Sequence, residues 1–468
     1  MSRQLNQARG FAAEIAIGIE SVFNTAATTG KLLAHNGSTI TATRETNISD
    51  TIIANRSSAE PFHGNGDVAG SLNVPNDLNQ MGLILKAVFG NPVSTAPADA
   101  KAASDVADAT GGKVTLTVAE GHGVSAGDYF CVYGTTNYNG EFVATAATST
   151  TITFAHAYTA ETLTTAYVSK TGYSHVYKIG RDQPSMTIEQ VHTDLAEMFL
   201  YTGCMASRFA IGADSNGQEN VVTVDIMGSK PAASVVPVVI SSFETSGGGA
   251  ASLITTATVH GLAENGCVVI AGSTNYNGRY LVASTPTTTT FTIAKAYVAE
   301  SVVASSEPVC CKTKFVNPVG IPLKRLNTFS GKVYKDGVEY SAAKTFSIDF
   351  DMGLDGDQRV IGDNGFRSEI PEGKVGITTS MTVLLKNADW YRLGEGNITV
   401  ALKLVFTASA GIGSMTIEIP ENKVSMASPG VDSPNGISQQ ITAIGYATDS
   451  SATGSASTVT LVSPYATF

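Results

Sequence analysis

Thr136-Asn137-Tyr138-Asn139-Gly140 returns 138 residues further on as Thr274-Asn275-Tyr276-Asn277-Gly278. The match extends outward on both sides. His122-Gly123 becomes His260-Gly261, Phe142 becomes Tyr280, and Ala155-His156-Ala157-Tyr158 becomes Ala294-Lys295-Ala296-Tyr297 at an offset of 139, one residue longer. Within each copy apolar and polar residues alternate: Val114, Leu116 and Val118, then Ile152 and Phe154, with Phe291 and Ile293 as counterparts. Period-2 patterning punctuated by Asn-Gly spells small antiparallel β-modules. The two modules, 100–168 and 238–308, are flanked by Ala/Ser/Pro/Gly-rich seams, as expected of whole domains inserted at a surface.

With those modules set aside, a second repeat shows in the remainder. Ser185-Met186-Thr187-Ile188-Glu189 recurs as Ser414-Met415-Thr416-Ile417-Glu418, an offset of 229, and Gly66-Asp67-Val68 recurs loosely as Gly373-Lys374-Val375, an offset of 307. The 78-residue difference between 307 and 229 is about one inserted module, which interrupts only the first half. Val221–Gly228 resembles Gln440–Gly445. The pattern predicts a duplicated scaffold, one half near 10–232 and the other near 312–468.

Within the scaffold, Ile15, Ile17 and Ile19 alternate, as do Phe346, Ile348 and Phe350, and Ile398, Val400, Leu402, Leu404 and Phe406. These are strands with one buried face. After Pro75-Asn76-Asp77, the residues Leu78, Met81, Leu85 and Val88 fall at helical spacing until Gly90-Asn91-Pro92 stops them. The second half offers only a short equivalent near Asn387–Leu393. The expected fold is therefore mainly β, each half a sheet with one helix. Two polar, Gly-rich stretches without periodicity, Asn47–Gly66 and Gly353–Gly373, read as long functional loops.

Composition narrows the function. The 468-residue chain is 43% apolar, so it is not disordered, yet only 15% charged, well below the roughly 25% usual for soluble domains. Such a surface suits a protein that covers itself with copies of itself. A net charge of −11 argues against binding through phosphate contacts. Five cysteines without CxxC spacing point away from a disulfide framework or zinc site and toward a reducing compartment. No long apolar run or leader-like start stands out, so synthesis in the cytosol is expected, with no membrane.

Candidate chemistry is sparse. The seven histidines are scattered singly. Asp214-Ser215-Asn216-Gly217 begins like a calcium loop but lacks the later ligands and reads as a hairpin tip. The acidic run Asp355-Gly356-Asp357, with Asp363, reads as a solvated or interface loop, Gly247-Gly248-Gly249 as a linker, and Trp390 as core. Cys310-Cys311 lacks an activating neighbour. No catalytic, metal or cofactor site emerges, and the chain is expected not to be an enzyme.

The order of several motifs carries a resemblance. Gly18-Ile19-Glu20-Ser21-Val22-Phe23-Asn24-Thr25, then Asn55-Arg56, Pro61-Phe62, Gly66-Asp67-Val68-Ala69-Gly70-Ser71, a helix ending near Phe89-Gly90, Pro184–Glu189 and Tyr201-Thr202-Gly203-Cys204 are similar to tail tube proteins of long-tailed bacteriophages. The resemblance covers the scaffold, about two thirds of the chain. It implies two tube-type β-sandwich or barrel modules, each with a flanking helix, at 1–99 with 169–232 and at 312–468. The inserts resemble the immunoglobulin-like decorations of such tubes.

It also implies a homo-oligomer stacked into a tube. The internal duplication favours trimeric, pseudo-hexameric rings over rings of six chains. Tape measure and tail tip or terminator proteins would be its partners, and DNA would pass through the lumen without specific binding. The tube would be assembled in the host bacterial cytoplasm and reside in the virion tail. The two long loops are then expected at ring-to-ring contacts, with Arg56, Glu60, Phe62, Arg359, Arg367 and Glu369 at subunit interfaces. The rival reading is a virion fibre or adhesin whose Tyr-Asn-Gly modules grip host glycans. It would stay monomeric, or trimeric at a stalk.

Overall fold

A computed structural model describes residues 7–231, 235–303, 307–316, 318–431, 436–448 and 454–468. The alternating stretches form strands for the reason their pattern gives, one face in the core and one in water. Val400, Leu402, Leu404 and Phe406 are all buried, while Ile398 lies just before that strand and is exposed.

In chain order the first half contains β1 (Ala13–Ile19), β2 (Thr41–Ser49), β3 (Ala59–Pro75), α1 (Leu78–Phe89), β4 (Tyr173–Lys178), β5 (Met186–His192), β6 (Glu197–Asp214) and β7 (Val221–Gly228). The second contains β8 (Gly331–Lys335), β9 (Ala343–Asp351), β10 (Gly376–Leu384), α2 (Asp389–Glu395), β11 (Thr399–Thr407), β12 (Ser414–Val424), β13 (Ser438–Gly445) and β14 (Thr458–Ser463).

The halves repeat one antiparallel pairing order. In the first it runs β2–β3–β7–β6–β5–β1. In the second it runs β9–β10–β13–β12–β11–β8. Even the central register is shared: Val68 to Pro75 face Gly228 to Val221, and Ile377 to Leu384 face Gly445 to Ser438, eight pairs each.

The duplication is real, but two of its sequence landmarks are misplaced. The Ser-Met-Thr-Ile-Glu identity joins β5 to β12, whereas β5 corresponds to β11 and β12 to β6. A short alternating string fits many strands. Val68 corresponds to Ile377, two residues past the loose Gly-x-Val match; the pairing of Gly228 with Gly445 agrees with the third landmark.

Helix α1 is held at both ends. The buried Asp77 carboxylate accepts from the N–H groups of Asn79 and Gln80 at 2.9 and 3.2 Å, and Gly90 ends the helix at φ 86°. Burial raises the Asp77 pKa even against these bonds. Leu78, Met81, Leu85 and Val88 are fully buried, and Phe89 meets Phe209 and Phe350 edge-on at 5.9 and 5.2 Å. The shorter α2 buries only Trp390, whose indole N–H donates to the Tyr340 hydroxyl at 2.9 Å.

Two junctions merge the halves into one sheet: Arg208–Asp214 of β6 pairs with Asp351–Thr345 of β9, and β4 pairs with β14.

Each insert closes on itself as a six-stranded barrel, from Lys101 to Ser169 and from Val238 to Lys312. The Tyr-Asn-Gly motif is a folding device. Tyr138 is fully buried, its hydroxyl donating to the Thr159 carbonyl at 2.6 Å and accepting from the Thr159 N–H at 2.7 Å. Tyr276 does the same at Val298, both bonds 2.8 Å. Asn139 and Asn277 accept from the N–H groups of Thr135 and Ser273, and Gly140 and Gly278 sit at φ 139° and 125°, where only glycine is unstrained. Gly247-Gly248-Gly249 is the turn of the first hairpin of the second barrel, not a linker, since its three positive φ angles reverse the chain.

Candidate functional site

The stretch Asn47–Gly66 is not an irregular loop. It belongs to a two-stranded arm, β2 against the first part of β3, with its turn near 50–58. Its strands carry no alternation because both faces are open, so burial imposes no period. The tip is apolar and uncovered: Ile48, Ile53 and Phe62 are exposed and Ile52 is 92% exposed.

The stretch Gly353–Gly373 folds back onto the root of this arm. Gly66 N–H donates to the Gly365 carbonyl at 3.1 Å, and the Arg44 guanidinium donates to the Asn364 carbonyl and side chain, both at 2.9 Å. The Phe366 ring lies so close over Gly66 that it leaves no room for a Cβ there. Arg367, nearly buried, bridges to the Asp67 carboxylate and donates to the Gly228 carbonyl at 3.0 Å and the Gly356 carbonyl at 2.6 Å.

The six expected interface residues therefore divide. Arg56, Glu60 and Phe62 lie exposed on the arm and Glu369 exposed on the second loop. Arg359 and Arg367 turn inward: Arg359 donates to Gly365 at 3.2 Å and Arg367 clasps the arm. Arg44, Asp67 and Phe366 complete the clasp and carry no periodic signal by which to be found, although Asp67 sits inside the quoted Gly66-Asp67-Val68.

Beside the arm the sheet turns a polar face outward. Arg208 on β6 donates from Nε to both Asp349 oxygens, at 2.9 and 2.7 Å, and from Nη1 to Asp225 at 3.4 Å. The bonds to Asp349 hold this guanidinium still more firmly protonated. Asp351, Ser347, Thr378 and Ser380 line the same shallow depression, about 550 Å³. Strand β9 is paired on both sides, by β10 and β6. Its counterpart β2 is paired by β3 alone among the described residues.

The repeated tyrosine and histidine of the two modules serve the barrels themselves. Tyr138 and Tyr276 are inside their barrels, and His122 and His260 bind hairpin carbonyls, His122 Nε2 at 2.8 Å from the Thr148 oxygen and His260 Nε2 at 3.2 Å from that of Thr287. All five cysteines are free and buried, and burial pushes the Cys131, Cys310 and Cys311 thiols up to about 12.

The family model described as phage tail tube protein matches residues 10–296 and, a second time, 283–445. No curated protein matches the chain. With the family matched twice, across two halves of one pairing order, the chain belongs to the phage tail tube proteins and is a structural component of the virion tail.

Proposed function

We propose that this chain assembles into stacked rings whose bore is the channel for genome delivery. The observation that carries the reading is an imbalance. Strand β9 has a neighbour on either side, while its counterpart β2, among the described residues, presents a bare edge at the root of an arm with an apolar, exposed tip. A bare edge is adhesive, and a closed ring covers it with a neighbour's strand. Two modules per chain favour a ring of three chains imitating six, over a ring of six.

Residues 1–99 with 169–232 form one tube module and 312–468 the other. Segments 100–168 and 238–308, six-stranded barrels whose last strands run on through Ser169 and Lys312, are decorations facing outward. The arm and the second loop reach the adjacent ring through Arg56, Glu60, Phe62 and Glu369, while Arg359 and Arg367 fix the angle at which the arm leaves. The polar sheet face, with Asp225, Asp349 and Asp351, lines the bore, where net negative charge repels phosphate over about one Debye length, roughly 8 Å. DNA then slides past without specific binding. Tape measure protein occupies the bore before ejection, tip and terminator proteins close the ends, and assembly takes place in the host cytoplasm. No step in this role needs a catalyst or cofactor.

Negative-stain electron microscopy of the purified chain tests the reading. Hollow rods of regular repeat are expected. Dispersed monomers, or trimeric stalks without a bore, would overturn it in favour of an adhesin or fibre. Ile52→Asp combined with Ile361→Asp, both at exposed positions, should leave rings but few rods.

A further inference from the structure

The shared register allows the open edge to be given a partner. Because Gly228 and Gly445 are equivalent, Ala206, which pairs with Ile226, corresponds to Val424, which pairs with Ala443. Phe209 opposite Val224 then corresponds to Met426, just beyond Ser425, whose N–H donates to the Thr442 carbonyl at 2.8 Å. On the other strand, Ala42 opposite Val68 corresponds to Phe350 opposite Ile377. Inside the chain Phe209 pairs with Phe350. Their counterparts, Met426 and Ala42, are both exposed.

We propose, resting on the ring reading above, that the β6–β9 junction is the template for a junction between chains: Ser425–Ser428 of one copy forms a strand antiparallel to Ile40–Thr43 of the next. The register follows residue by residue. Arg208 with Asp351, Phe209 with Phe350, Ala210 with Asp349 and Ile211 with Ile348 become Ser425 with Thr43, Met426 with Ala42, Ala427 with Thr41 and Ser428 with Ile40. Pro429 follows and has no N–H for a ladder, which limits the junction to four pairs.

Three observations favour a second copy as the occupant. Among the described residues, Ser425–Ser428 is engaged on its inner side only, through Ser425 and through the Gln439 amide donating to the Ala427 carbonyl at 2.8 Å. The Met426 backbone lies against Gly394 of α2, where an added Cβ would come within 2.6 Å, much as Phe209 lies against Phe89 of α1. Beside the Ile40–Ala42 edge opens a groove of about 370 Å³, lined by Phe199, Leu200, Tyr201 and Pro231, that can receive an apolar side chain. The two surfaces differ, so the contact is head-to-tail and generates a ring where its rotation closes.

The test is oxidative cross-linking of the full-length chain carrying Ala42→Cys and Met426→Cys. The native cysteines are all buried, and residues directly opposed across an antiparallel pair have Cβ atoms about 5 Å apart. A ladder of covalent multimers is expected on non-reducing gels. A mixture of the two single variants should stop at dimers, which fixes the contact as inter-chain. Thr41→Cys with Met426→Cys, slipped by one residue onto opposite faces, should cross-link roughly tenfold less. Met426→Asp should abolish assembly while leaving the thermal transition of the monomer in place, since that side chain is exposed. Rods that form while the in-register pair links no better than the slipped pair would overturn the junction and leave the tube reading standing. No rings or rods at all from the unmutated chain would bring down both.

Discussion

The two inserted barrels dock through equivalent surfaces but with opposite charge. In the first, Cys131, Tyr133 and Tyr167 pack on Ile412, Tyr173 and Val462, at the β11–β12 turn and its neighbours. In the second, Val269, Ala271, Val309 and Cys311 pack on Val191, Ala196, Met198 and Leu200, around the corresponding β5–β6 turn. At the repeat offset of 138, Cys131 answers to Val269 and Tyr133 to Ala271. The residue that anchors each barrel is likewise equivalent. Glu141 pairs with Lys324 and accepts from Ile412 N–H at 3.2 Å. Arg279 pairs with Glu14 at 2.9 Å and Glu189 at 3.2 Å. One barrel fold thus serves two seats assigned by where each barrel is inserted in the chain, and the equivalent anchoring residue carries the charge that its own seat requires. In the wrong seat Glu141 would face Glu14 and Glu189.

The strongest way to break that comparison is Arg279→Glu. Glu189 is fully buried and also accepts from Lys314 and Phe315 N–H groups, so it would lose its counter-ion and gain a repelling neighbour. A loss of about 3–5 kcal/mol is expected, as for other buried pairs left with one partner. It would be read as a lower unfolding midpoint and as rapid hydrogen exchange along 267–271. Glu141→Lys should cost less, about 1–3 kcal/mol, because its pair is partly open to water. Adding Lys324→Glu should restore most of that, and no restoration would mean that shape, not charge, holds the barrel in its seat.

Next in size are Tyr138→Phe and Tyr276→Phe. Each deletes a buried hydroxyl that both donates and accepts at one residue, and each should cost about 1–2 kcal/mol by thermal denaturation. Equal losses would sharpen the equivalence of the two barrel cores; a twofold disparity would break it.

The smallest effect concerns acid. Burial raises the Glu161 pKa, but the N–H groups of Thr136 and Asn137 and the Asn137 amide outweigh it and bring the carboxyl below its usual range. A group depressed on folding stabilises above its unfolded pKa and loses that contribution as pH falls through the folded one. The Thr136–Gly140 turn should therefore loosen only below about pH 4, the ordinary Glu range. Proton titration of Asn137 by NMR would show it, and Glu161→Gln should abolish the dependence.

What could be read in the sequence follows from how local each signal is. The barrels were legible because Asn139 and Gly140 act within their own hairpin, but Thr159, which holds the Tyr138 hydroxyl, and Glu161 and Glu300, which hold the same turns from a distance, have no periodicity to betray them. The helix was legible through its cap and spacing. The arm was not, since a strand open on both faces shows no alternation. Repeat landmarks failed where strands resemble one another and held at Gly445, where the register itself agrees.

By itself the sequence determined the β-rich class, the doubled inserts, the duplicated scaffold and the family to which they belong, because hydrophobic period and turn chemistry act over a few residues. Tertiary structure alone decided that Arg367 grips Asp67 across 300 positions, that Glu141 and Arg279 meet partners of opposite charge, and which strand edge is bare among the described residues. Those outcomes depend on which segments the closed sheet brings side by side. No local pattern encodes that distance.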